Sequence, residues 1–101
     1  MKPELKYSGG SCLISGQLLF DTLDSLANEL LTEAGKAGEM TIDLKNIANC
    51  DSAFVALLAA CLQIKTLQGQ SMKILNSPEK LLNMLEVYGL LNCGWLTKKA
   101  I

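Results

Sequence analysis

The stretch from Thr41 to Leu62, TIDLKNIANCDSAFVALLAACL, limits this chain more than any other. It reads as a short apolar strand over residues 40–44, a polar turn ending in Asp51-Ser52, and then ten consecutive apolar residues, 53–62. Ala and Leu are strong helix formers, and Asp or Ser ahead of such a run supplies an oxygen for the free N–H groups of a first turn. The expected helix runs from about Ser52 to Leu67 and stops at Gln68-Gly69. Asp51 and Ser52 then sit at its mouth, where the helix dipole favours negative charge. A helix that is apolar on every side exceeds what one sheet can cover, so part of it is expected to form a contact surface.

The rest of the chain supplies the frame. Strands are expected over residues 4–7 and 12–15, joined by the hairpin-length loop Ser8-Gly9-Gly10-Ser11. A first helix, capped by Asp21 or Thr22, carries Leu23, Leu26, Leu30 and Leu31 at helical spacing as far as about Ala34. Residues 71–75 read as a further strand. Ser77-Pro78 then opens a third helix, with Ser77 as cap and Leu81, Leu82, Leu85 and Tyr88 along one face up to Gly89. A last short element around Trp95 is expected in the tail. The order β-β-α-β-α-β-α, with connections too short for anything but crossovers, implies an α/β domain. Its mostly parallel sheet has about four strands and an antiparallel hairpin at its start. All 101 residues are expected to form this one domain. The Asp51-Ser52 turn falls at the carboxyl end of a central strand, where such folds place their working residues.

Composition narrows the functions. The nine basic residues are scattered and the net charge is −1, so the electrostatic footprint of a nucleic-acid binder is missing. The chain contains no histidine, which leaves Ser52 without the usual base for nucleophilic catalysis; neither metal nor cofactor is expected. The start, Met1-Lys-Pro-Glu-Leu-Lys, carries no apolar segment of the signal-peptide kind, and the expected location is cytoplasmic. Cys12, Cys50, Cys61 and Cys93 stand far apart and are expected to be reduced thiols. Tyr88 and Trp95 are expected to pack in the core.

Taken together, Ile14-Ser15-Gly16, Ile42-Asp43-Leu44, Asp51-Ser52 opening the helix, and the last helix ending in Tyr88-Gly89-Leu90 resemble the STAS domain. This is the fold of bacterial anti-sigma factor antagonists, and the likeness covers most of the chain. It implies that the hydroxyl after the Asp, here Ser52, is phosphorylated by an anti-sigma factor kinase. Two departures separate the chain from those antagonists. Ala53 and bulky Phe54 stand where they carry a Ser or Thr and a glycine, and Leu19 stands where they carry an acid. Val55-Ala56-Leu57-Leu58 and the short length are more similar to the small STAS subunits of Mla-type phospholipid ABC transporters. That likeness implies an ATPase partner, peripheral placement at the inner membrane and no membrane insertion. The partner-facing set is then Asp51, Ser52, Phe54, Val55 and Leu58, with Phe54 as the outward-pointing anchor.

Overall fold

Alternation of apolar and polar side chains along three parallel strands decides the architecture. The computed structural model describes residues 2–8 and 11–89. Its elements are β1 (Glu4–Ser8), β2 (Ser11–Leu18), α1 (Asp24–Gly35), β3 (Met40–Cys50), α2 (Ser52–Leu67), β4 (Met72–Leu75) and α3 (Glu79–Val87). The sheet order is β1-β2-β3-β4; β1 is antiparallel to β2, and the other pairings are parallel. The expected element order and mixed sheet are therefore the observed ones.

Because β2, β3 and β4 lie side by side in chain order, right-handed crossovers carry α1 and α2 over the same face. Burial agrees. Cys12, Ile14 and Leu18 on β2, Met40, Ile42 and Leu44 on β3, and Met72 and Ile74 on β4 are buried, while their sequence neighbours are more exposed. Leu26, Leu30 and Ala34 of α1, Phe54, Leu58 and Cys61 of α2, and Leu81 and Leu85 of α3 complete this core.

Some boundaries moved. The strand expected over 40–44 continues to Cys50, because residues 46–50 keep pairing with β2 as far as Leu18 opposite Cys50. Helix α1 starts at Asp24, with Leu23 at its cap position and no side-chain cap bond, so neither Asp21 nor Thr22 caps it. The Thr22 hydroxyl is used elsewhere: it donates to the Gln17 carbonyl at 2.8 Å and accepts from the Leu19 N–H at 3.0 Å. Likewise Pro78, not Ser77, holds the cap position of α3, and Ser77 is buried. Gly16, inside β2, has φ +93°, and a side chain there would run into the Lys2 carbonyl. Glycine is what lets the start of the chain cross the strand at that point. The expectations for Cys93, Trp95 and the tail 90–101 lie outside the described residues.

One buried residue breaks the apolar pattern of α2. Lys65 is 1% exposed, and its ammonium donates to the carbonyls of Lys36 at 2.6 Å and Gly38 at 2.7 Å, and to Gln68 Oε1 at 3.2 Å. Gln68 in turn donates to the Gly35 carbonyl at 2.9 Å. The C-terminal end of α1, the negative end of its dipole, is thus closed by a cation and an amide from α2. Replacing Lys65 with Met should keep the volume but strand those carbonyls, lowering unfolding free energy by about 2 kcal/mol or more. Urea melts of the two proteins measure it.

The cysteines supply a second test. Cys12, Cys50 and Cys61 are free and buried. Burial pushes the Cys12 and Cys61 thiols up from 9.0 to about 11, and raises Cys50 as well. Thiols held protonated by burial make the folded chain bind more protons than the unfolded one once pH passes the ordinary thiol range. Their contribution is complete below pH 9.0 and is lost as pH climbs toward about 11. Thermal melts should fall across that window, and a Cys12→Ala, Cys61→Ala variant should lose less stability over it.

Candidate functional site

The site is built where β2 and β3 end together. Leu18 and Cys50 are register partners, and the Asp51 N–H continues the pairing by donating to the Leu18 carbonyl at 3.2 Å. Asp51 is extended (φ −133°, ψ −171°), and its carboxylate is divided between two elements. Oδ1 accepts from the Ala53 N–H at 2.9 Å, capping α2, and Oδ2 accepts from the Phe20 N–H at 2.9 Å. The helix therefore has its cap in Asp51, and Ser52 is its first residue rather than the cap.

Phe20 lies in the turn between β2 and α1. That turn is closed three ways: the Thr22 N–H donates to the Leu19 carbonyl at 2.9 Å, the Thr22 hydroxyl binds Gln17 and Leu19, and Asp51 holds Phe20. On this fixed backbone the Phe20 side chain is 80% exposed. Asp21, Thr22, Asp24, Ser25, Gln17, Lys2 and Pro3 line a hollow beside the turn.

Helix α2 packs against α1, α3 and β3. Its deepest row is Phe54, Leu58, Cys61 and Lys65, and Val55 and Leu57 are buried as well. What remains outside is Ser52, Ala56, Gln63 and Thr66, together with Leu67 at the C-terminal end, and Ala59 and Ala60 are half-buried. Ser52, Val55, Ala56 and Ala59 form one wall of a groove whose other wall includes Tyr88. The Ser52 hydroxyl is exposed and bonds to no other group among the described residues.

Two expectations are corrected here. Phe54 does not point outward; it is 0% exposed, and so is Leu58, because neighbouring helices flank α2 on top of the sheet below and leave only one narrow row free. Tyr88 does not pack in the core but is 54% exposed. The residues that sequence reasoning passed over are Phe20, whose exposure depends on a turn with no sequence periodicity, and Ala56 and Ala59, hidden inside an apolar run. Among the described residues no group of three or more His, Cys, Asp and Glu is placed to hold a metal ion, and no helix is long and apolar enough to cross a membrane.

A family model described as "Mlab, STAS domain" matches residues 10–97. No curated protein matches the sequence. Among solved structures, the chain is similar to an anti-sigma-factor antagonist (STAS) domain protein from Planctomyces limnophilus. That match has a TM-score of 0.73 and 18% identity, covering 95% of this chain and 88% of that one. It is also similar to the anti-sigma factor antagonist SpoIIAA in its unphosphorylated form, with a TM-score of 0.69 and 14% identity over 95% and 87% of the two chains. The phosphorylated form of SpoIIAA, described as a Bacillus cell fate determinant, gives 0.67 and 16% over 94% and 88%.

With Phe54 buried, Phe54→Asp is a folding variant. It should abolish cooperative thermal unfolding, since an aspartate there has no partner to offset its desolvation. Ser52→Ala should leave the melting temperature near the parent's, because the cap bond comes from Asp51. Circular dichroism melts of both variants test this pair of expectations.

Proposed function

The chain belongs to the STAS domain family, and from that premise we propose that it is a non-catalytic subunit of an Mla-type phospholipid ABC transporter. In this reading it binds and regulates the cytoplasmic ATPase and sits at the inner membrane only through that complex. The observation that carries the reading is the α2 tip, where an exposed Ser52 follows Asp51, whose carboxylate braces the turn that carries the exposed Phe20. Small side chains, Ala56 and Ala59, continue from it along the free row and let a partner's backbone approach closely. The Mlab description of the matching family model favours a transporter subunit. Catalysis by Ser52 has no support: the sequence contains no histidine, and no described side chain bonds to the hydroxyl as a base would.

The second reading is an anti-sigma factor antagonist, switched when a partner kinase phosphorylates Ser52. One feature favours it: an exposed hydroxyl on the first turn of a helix, where the dipole and free N–H groups accommodate a phosphate. Against it stands the departure from the antagonists' pattern at Phe54, where the resemblance calls for glycine.

Calorimetric titration of the transporter's ATPase subunit into three variants separates the readings. Ser52→Thr should bind like the parent and Ser52→Ala more weakly. Ser52→Glu should lose roughly tenfold or more in affinity, because an unpaired carboxylate would be desolvated at the interface. Equal affinities for all three would move the contact surface elsewhere.

A further inference from the structure

Asp51 makes two backbone hydrogen bonds, of which only the one to Ala53 is needed for the helix cap. The other reaches 31 residues back to the Phe20 N–H. Phe20 itself is apolar, large and 80% exposed, yet its backbone is among the best-braced in the turn. A lone exposed aromatic on a mobile loop is ordinary. One held in place before any partner arrives has already lost the freedom that binding would otherwise have to remove. Resting on the docking reading above, we infer that Phe20 is the apolar anchor of the partner interface and that Asp51 is its positioning residue.

The surroundings describe the pocket that would receive it. Asp21 and Asp24 line the hollow next to this turn, with Lys2 as the one cation among the described residues that line it, and the Asp51 carboxylate bonds to the turn's backbone. Among the described residues acid therefore outweighs base beside this turn. The partner it fits is a protein surface with an apolar pocket rimmed by lysine or arginine. Ser52 contributes a polar contact at the edge of this anchor, and the Ala56–Ala59 row meets the flank of the partner.

Asp51→Asn separates the two jobs of the carboxylate. The amide oxygen still caps α2, as asparagine does well, but the NH₂ in place of Oδ2 cannot accept from Phe20. In the isolated variant, amide exchange at Phe20 should quicken at least about tenfold while the melting temperature stays near the parent's. Against the purified ATPase subunit, Phe20→Ala should bind about tenfold or more weakly, the loss usual for an aromatic anchor. Asp51→Asn should also weaken binding, and the double variant should bind no worse than Phe20→Ala alone, because Asp51 acts only through Phe20. Leu67→Ala, at an exposed apolar position at the far end of α2, should bind like the parent. Asp21→Asn with Asp24→Asn should flatten the salt dependence of binding.

Binding that survives Phe20→Ala overturns the anchor, and additive losses in the double variant overturn the positioning role. A parent chain that fails to bind the ATPase overturns the docking reading and this inference with it.

Discussion

The carboxylate of Asp51 holds together the part of this fold that faces outward. One oxygen closes the first turn of α2 and the other fixes the turn between β2 and α1, so two loops at the end of the sheet become one rigid tip. The backbone of the same residue extends the β2–β3 pairing by one bond. Alanine at this position would lose both side-chain bonds at once, whereas most N-cap residues serve only their own helix. The backbones of Phe20 and of the first turn of α2 are thereby tied to one side chain.

At the other end of α2, Lys65 and Gln68 perform a similar service for α1. The two ends of this helix are polar clamps and its middle is core. Between them only the row Ser52, Ala56, Ala59 or Ala60, Gln63 remains for contact with another molecule. That row is built from small residues, so its contribution to recognition is close approach rather than apolar area. The large apolar group at the tip comes from outside the helix, from Phe20; the exposed leucine of α2, Leu67, lies at the opposite end.

Periodicity and helix-stop signals made the element order, the mixed sheet and the position of the Asp51-Ser52 turn legible in the sequence. Each depends on local spacing that a single chain displays. The length of β3 was not legible, since residues 45–49 (Lys-Asn-Ile-Ala-Asn) show no apolar alternation and are extended because β2 runs beside them. Lys65 was invisible for the same reason: its partners, Lys36 and Gly38, are close only after α1 and α2 pack. The orientation of Phe54 failed because a continuous apolar run has no phase from which to read an outer face. Its burial follows from the number of elements packed around α2, which is tertiary information. Phe20 was missed because the bond that holds it out spans two loops.

Hydrogen exchange of the chain, free and bound to the Mla-type ATPase subunit, tests the central claim most directly. The account predicts slowed exchange on binding in the turn 19–22, the first turns of α2 around Ser52 and Ala56, and the α3 end near Tyr88. The exposed side of β2 and β3 should not change. Protection confined to that open sheet face, with the α2 tip unaltered, would contradict it.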